Sequence, residues 1–171
     1  MGSVGYTAFG KVERATKEGV FRNEEELKNA LVEALKGELL RSECSKYIVN
    51  AWLRPSLDEA LKSGGRPDIR LSNLIIEVKA PGVNISEGQE QLLQYMSDLY
   101  RQLQGKTSVY GVITNGVKAE LYKYDERLYE YGKERLYEGD MAGVLRKALE
   151  LFCMQKIPVL EAKDLIALFG V

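Results

Sequence analysis

The spacing of apolar residues divides the 171-residue chain into helices and strands. Apolar residues recur at helical intervals in several stretches, which predicts amphipathic helices at residues 23–40, 86–104, 140–152 and 161–169. Alternating, β-branched or aromatic residues predict strands between them, at residues 45–53, 69–78, 108–114 and 117–124. This mixture of helices and strands predicts an α/β fold.

The segment 66–81 contains the most informative pattern. Its apolar residues alternate on both sides of a central Ser-Asn pair, and both of these residues favour turns, so the segment predicts a β-hairpin. If the turn is symmetric, Asp68 lies opposite Glu77. Lys79 shares their face of the sheet because side chains alternate along a strand.

Two opposed carboxylates need a compensating partner. At an effective dielectric constant near 20, two negative charges about 4 Å apart repel by about 4 kcal/mol. The chain contains no histidine, and hard carboxylate oxygens favour Mg²⁺ or Mn²⁺ over zinc. The amine of Lys79 could then hold a water molecule or stabilise charge on a phosphate. The alternative is an exposed hairpin with a surface pair between Glu77 and Lys79.

The same residues resemble a known nuclease signature. Pro-Asp at 67–68, eight intervening residues and Glu-Val-Lys at 77–79 are similar to the motif of the PD-(D/E)xK nuclease superfamily, the restriction-endonuclease-like phosphodiesterases. The resemblance implies that Asp68 and Glu77 bind magnesium, with manganese as a substitute. It also implies that Lys79 positions or activates the attacking water.

A second motif makes the resemblance more specific. Gln91 and Tyr95 lie four residues apart on the predicted helix 86–104 and resemble the Gln-x-x-x-Tyr motif that follows Glu-x-Lys in such nucleases. The closest resemblance is to the nuclease domains of type I restriction subunits and of fused restriction-modification enzymes. It implies that Gln91 and Tyr95 are catalytic residues that orient the lysine or the scissile phosphate.

The first helix supplies a candidate third metal ligand. In the resembling nucleases a glutamate near the start of this helix joins the site in the pattern Glu-x-x-Leu, and Glu24 with Leu27 matches it. The resemblance therefore implies that Glu24 is a metal ligand, with Glu25 and Glu38 as alternatives. Glu24 could instead only stabilise the helix, because an acid in the first turn interacts favourably with the helix dipole.

The resemblance also implies the domain organisation. We expect a restriction-endonuclease-like mixed central sheet flanked by helices, with a C-terminal helical extension. Residues 1–22 would form an N-terminal arm and residues 23–124 the nuclease core, with the last two core strands on either side of an Asn-Gly turn. Residues 125–171 would form a solvated connector, with a hairpin at residues 125–140 as the alternative, and the helical extension, leading to a domain absent from this sequence.

The expected function is divalent-metal-dependent hydrolysis of DNA as part of a restriction-modification system. The 24 basic and 25 acidic residues nearly balance, so any contact with DNA must come from a local basic surface. Methyltransferase, specificity or motor domains in the same or another chain are expected partners. The sequence shows no membrane span, and we expect a cytoplasmic protein. A catalytically silent DNA-binding or interaction module and a nuclease for branched DNA are the alternatives.

Overall fold

A six-stranded mixed sheet forms the centre of the computed structural model, which describes residues 7–41, 56–58 and 60–154. The helices are α1 (Ala8–Lys17), α2 (Glu24–Arg41), α3 (Gln89–Gln102) and α4 (Met141–Met154). The strands are β1 (Ser56–Leu57), β2 (Ile69–Leu71), β3 (Leu74–Val78), β4 (Val109–Thr114), β5 (Lys118–Tyr124) and β6 (Lys133–Asp140). The predicted strand 45–53 and helix 161–169 lie outside the described residues.

The strands lie in the sheet in the order in which they occur in the chain. Only β3 and β4 pair in parallel, because α3 carries the chain back between them, and every other pair is antiparallel. α3 packs against β3, β4 and β5, whereas α4 packs against β4, β5 and β6. Every residue of β4 is buried, so helices cover both faces of the sheet. The prediction of a mixed α/β sheet flanked by helices is confirmed.

The hairpin formed by β2 and β3 has the predicted register. Ile69 pairs with Ile76 and Leu71 pairs with Leu74, with the turn between them. The first turn residue has a φ of 54°, the left-handed conformation that a tight turn requires. The second turn residue, Asn73, donates from Nδ2 to the carbonyl oxygen of Ser108 just before β4. The hairpin is therefore anchored to the centre of the sheet.

α2 begins as the sequence predicts. Oδ1 of Asn23 accepts a hydrogen bond from the backbone N–H of Glu26 at 2.9 Å, which satisfies one of the free donors at the helix start. The Glu26 carboxylate accepts from the N–H of Arg22 rather than from the capping residue. The predicted apolar stripe is buried at Leu27, Leu31, Ala34, Leu35 and Leu39.

The predicted N-terminal arm contains a helix instead. α1 begins after Thr7, whose side chain accepts a hydrogen bond from the N–H of Gly10. The carboxylate of Glu38, on α2, accepts from the N–H of Ala8 at 2.9 Å. α1 is therefore capped by a residue thirty positions away, a contact that local sequence patterns do not reveal.

The prediction of a solvated connector over residues 125–140 is wrong for its second half, which forms β6. This strand pairs with β5 along its whole length, and Arg135 bridges to the buried Glu120 at 2.9 Å. Most side chains of β6 are exposed, as expected of an edge strand, so their polarity resembles that of a linker. β5 is therefore not the last strand of the sheet.

α4 packs onto the sheet, and its predicted inward residues are buried at Val144, Leu145, Ala148, Leu149 and Phe152. Asp140, at the predicted start of this helix, accepts a hydrogen bond from the Lys118 ammonium at 2.9 Å. The N–H of Ala142 donates instead to the buried carboxylate of Glu13 on α1, also at 2.9 Å. The start of α4 is thus joined to α1.

Replacing Glu13 by alanine should therefore destabilise the fold. The Glu13→Ala variant leaves the N–H of Ala142 without its carboxylate partner, and we expect the free energy of unfolding to fall by about 1–2 kcal/mol. Urea denaturation measures this loss. The control is Glu33→Ala, at an exposed acid on α2, which should change stability by less than about 0.5 kcal/mol. Equal effects of the two variants would contradict the capping role.

Candidate metal and catalytic site

Two carboxylates interlock where the β2–β3 hairpin ends. The backbone N–H of Asp68 donates to Oε1 of Glu77 at 2.8 Å, and the N–H of Val78 donates to Oδ2 of Asp68 at 2.8 Å. Each side chain is thus fixed by the backbone of the opposite strand. The structure brings Asp68 and Glu77 together across the hairpin, and each carboxylate has further lone pairs for another ligand.

The two carboxylates, one buried and one half-buried, lie in an unfavourable electrostatic environment. Glu77 is only 5% exposed, and burial together with the charge of Asp68 raises the pKa of Glu77 to about 8. Burial also raises the pKa of Asp68, although the N–H of Val78 and the charge of Lys28 oppose the rise. Ionising both groups therefore costs free energy that a bound cation would recover.

Lys79 lies beside this pair, two residues after Glu77 and directly after the end of β3. Its backbone N–H donates to the carbonyl oxygen of Thr114 at 2.8 Å, which continues the pairing of β3 with β4. Its side chain packs against Gly88, in the 3₁₀ turn Ile85–Gly88 before α3, where a β-carbon would lie 2.6 Å from Cε of Lys79. Its positive charge opposes the rise in the pKa of Glu77. The amine therefore interacts with the carboxylate site.

α3 brings Tyr95 to the same place. Burial raises the pKa of the Tyr95 hydroxyl, and the charges of Glu77 and Asp68 add to the rise. Nε2 of Gln91 donates to this hydroxyl at 2.9 Å. The Tyr95 hydroxyl therefore interacts electrostatically with the carboxylate pair and is hydrogen-bonded to Gln91, which itself is exposed.

α3 also holds the loop that leads into β2. Oε1 of Gln102 accepts a hydrogen bond from the N–H of Lys62 at 2.9 Å, and Oδ2 of Asp98 accepts from the hydroxyl of Ser63 at 3.1 Å. The ring of Tyr95 lies directly against Gly65. Three side chains of α3 therefore fix the loop that precedes Asp68.

The contact at Gly65 gives a prediction. A β-carbon there would lie 2.7 Å from Cε1 of Tyr95. The ring cannot move aside without losing the hydrogen bond between its hydroxyl and Gln91. We expect Gly65→Ala to lower the free energy of unfolding by about 1–3 kcal/mol in urea denaturation. The control is Gly143→Ala in α4, where a β-carbon meets no atom within 4 Å. This variant should gain about 0.5–1 kcal/mol, and a loss equal to that of Gly65→Ala would contradict the account.

Among the three candidate glutamates of α2, Glu24 lies on the side of the carboxylate pair. Burial raises the pKa of Glu24, the charge of Asp68 raises it further, and the charge of Lys79 opposes the rise. The side chain of Glu25 pairs with Lys28 at 3.0 Å. Glu38 caps α1. The structure therefore favours Glu24 as the glutamate of α2 that faces the site.

Sequence reasoning missed Lys28 and Asp58. Lys28 is 5% exposed, and its Nζ lies 3.2 Å from both carboxylate oxygens of Asp58. The available signal was its position three, four and seven residues before buried Leu31, Val32 and Leu35, which places it on the apolar face of α2. Asp58 had no signal, because its contact with α2 is long-range.

The carboxylate pair fits a hard divalent cation. Within residues 7–41, 56–58 and 60–154, no three aspartates, glutamates, cysteines or histidines form a group able to enclose a metal ion. Magnesium does not need such a cage, because it is commonly held by one or two carboxylates together with water and substrate phosphates. Asp68 and Glu77 present two hard carboxylate groups, and Glu24 lies near enough to interact electrostatically with Asp68.

No helix of the described residues is both long and apolar enough to cross a membrane.

Comparison with known proteins identifies one structural neighbour. No family model matches the chain, and no curated protein matches it. A chain in the cryo-EM structure of a DrdV–DNA complex superimposes with a TM-score of 0.52 over 90% of this chain and 97% of that chain. The sequence identity is 17%, so the similarity shows a shared fold.

Proposed function

We propose that this protein is a magnesium-dependent DNA endonuclease domain of the restriction-modification type. The observation that carries the proposal is the pair of half-buried Asp68 and buried Glu77, which face each other beside the amine of Lys79. The fold shared with a chain of a DrdV–DNA complex supports DNA as the partner. The net charge of −1 requires a local rather than a global attraction to DNA.

Asp68 and Glu77 would hold Mg²⁺, or Mn²⁺ in its place, and Glu24 would assist. The ion would supply electrostatic stabilisation of the negative charge that develops on the phosphate oxygens. The two carboxylates are already fixed by backbone N–H groups of opposite strands, so they need little reorganisation to bind it. This preorganisation requires both strands of the hairpin in the observed register.

Lys79 and the residues of α3 would act on the substrate. The Lys79 amine would hold the attacking water or neutralise a phosphate oxygen as the phosphodiester bond breaks. Its carbon chain is confined by Gly88, which limits the directions in which the amine can point. Tyr95, held by its hydrogen bond from Gln91, would orient the lysine or the scissile phosphate.

Cleavage of supercoiled plasmid DNA tests the proposal. The wild type should nick the plasmid in Mg²⁺ or Mn²⁺ and not in EDTA, and Lys79→Met should lower the rate by about 10²-fold or more. Lys36→Met, at an exposed lysine of α2, is the matched control and should retain the wild-type rate. Cleavage that persists in EDTA, or equal rates for wild type and Lys79→Met, would contradict the proposal.

Binding and cleavage assays with other DNA substrates separate the alternative functions. DNA binding that persists in EDTA, without cleavage in Mg²⁺, would support a catalytically silent binding module. Preferential cleavage of flaps or four-way junctions over linear duplex would support a nuclease specific for branched DNA. Activity that appears only after addition of methyltransferase, specificity or motor domains would support a partner-dependent nuclease. The cytoplasmic location expected from the sequence is compatible with each of these alternative functions.

A further inference from the structure

Lys28 is a buried cation at the base of the carboxylate site. Its side chain is only 6% exposed, and it forms ion pairs with Asp58 at 3.2 Å and with Glu25 at 3.0 Å. A buried ammonium group is costly unless charged or polar groups surround it, so both pairs are needed to retain it. The partner in each pair is more than half exposed, which leaves Lys28 as the buried centre of the group.

The partner of Lys28 is held in a strained conformation against Asp68. Asp58 has a φ of 50°, in the left-handed region that non-glycine residues rarely occupy. Its backbone N–H donates to the carbonyl oxygen of Asp68 at 3.1 Å. Its own carbonyl oxygen accepts from the Arg66 guanidinium at 3.4 Å. Such strain persists only where surrounding contacts fix the residue. Here the contacts come from the Lys28 ammonium, the Asp68 carbonyl oxygen and the Arg66 guanidinium.

We infer that Lys28 is a positioning residue of the proposed metal site. It holds Asp58 in its left-handed conformation, and Asp58 in turn fixes the backbone of Asp68 so that its carboxylate lies opposite Glu77. The inference rests on the proposed function for the role of Asp68 as a metal ligand. It assigns a task in that site to a residue of α2 outside the nuclease-like motif.

Electrostatics supports the same role. The charge of Lys28 acts on Asp68 and on Glu24, the two acids that approach the site from different elements. This positive charge attracts both carboxylates and so favours their observed positions. Because Lys28 also binds Asp58, it joins the start of α2 to the edge of the sheet where the site lies.

A purely structural ion pair would behave differently from a positioning residue. Losing a structural pair lowers stability and leaves the affinity for metal unchanged in the folded protein. Losing a positioning residue weakens metal binding even where the protein is fully folded, typically by about 10- to 100-fold for groups that orient a ligand. Metal affinity and local hydrogen exchange, measured on the folded protein, therefore distinguish the two roles.

The test compares Lys28→Met, Lys28→Arg and Asp58→Asn with the control Lys36→Met. Calorimetric titration with Mn²⁺ should give a dissociation constant about tenfold higher for Lys28→Met and for Asp58→Asn. Lys28→Arg keeps a cation able to bind Asp58 and should restore most of the affinity. Amide hydrogen exchange at Asp58 should accelerate in Lys28→Met and stay unchanged in Lys36→Met.

Wild-type Mn²⁺ affinity and wild-type Asp58 exchange in folded Lys28→Met would overturn the inference. If Lys28→Met does not fold, Asp58→Asn and Lys28→Arg decide it, and unchanged affinity in Asp58→Asn would overturn it. If the wild type itself binds no Mn²⁺, the proposed function fails, and exchange at Asp58 still shows whether Lys28 positions this segment. Failure of the inference and failure of the proposed function therefore give different results.

Discussion

Asp68→Asn and Glu77→Gln should each lower the rate of metal-dependent DNA cleavage by about 10²- to 10³-fold, while making the metal-free protein more stable. Each substitution keeps the size of the side chain and an oxygen that can accept the observed backbone hydrogen bond. It also removes a carboxyl group that at neutral pH must either take up a proton on folding or repel its ionised neighbour. The amide N–H that either substitution introduces can donate to the remaining carboxylate, so we expect a gain of about 1–3 kcal/mol at neutral pH.

Plasmid nicking and urea denaturation in EDTA measure the two effects. The control is Glu33→Gln, an exposed acid paired with Lys36 on α2, which should change neither quantity. Opposite changes in activity and stability are typical of a functional site that is strained in the absence of its ligand. Stability that falls while cleavage persists would instead assign the pair a structural role.

The stability of the metal-free protein should fall as the pH rises from about 4.5 to 8. The pKa of Glu77 is about 8 in the folded protein, whereas an unfolded glutamate titrates near 4.3. Between these values the folded state holds a proton that the unfolded state has lost. The stabilisation is complete below the unfolded pKa and is lost as the pH passes the folded pKa, which amounts to on the order of 5 kcal/mol. The raised pKa of Asp68 acts in the same direction.

Urea denaturation at a series of pH values, in EDTA and in saturating Mg²⁺, measures this dependence. Mg²⁺ should stabilise the protein more at high pH than at low pH, because it binds the ionised carboxylates. Glu77→Gln should flatten most of the pH dependence in EDTA. A wild-type stability that rises over the same pH range, or an identical slope in Glu77→Gln, would contradict the raised pKa.

The sequence predicts the parts of the site that local patterns determine. Alternating apolar residues and a Ser-Asn turn define the register of β2 with β3, and this register places Asp68 opposite Glu77. The helical spacing that predicts α3 also places Gln91 one turn before Tyr95, where the two side chains form a hydrogen bond. In both cases the pattern lies within a short, continuous segment of the chain.

Contacts between distant parts of the chain were not predictable in this way. Besides its local cap Thr7, α1 has a second cap from the distant Glu38, and β6 has the exposed, charged composition of a linker although it pairs with β5. The role of the buried Lys28 could not be predicted, because its ion pair with Asp58 joins segments that are distant in the sequence. Each of these features is determined by the tertiary fold.

The position of a bound ion tests the central claim most directly. Crystals of the wild type soaked in Mn²⁺ should show an anomalous scattering peak in contact with the carboxylates of both Asp68 and Glu77. The same soak of Glu77→Gln crystals should show that peak strongly reduced. A wild-type map with no peak at these carboxylates, or with the ion bound elsewhere, would contradict the assignment of this pair as the metal site.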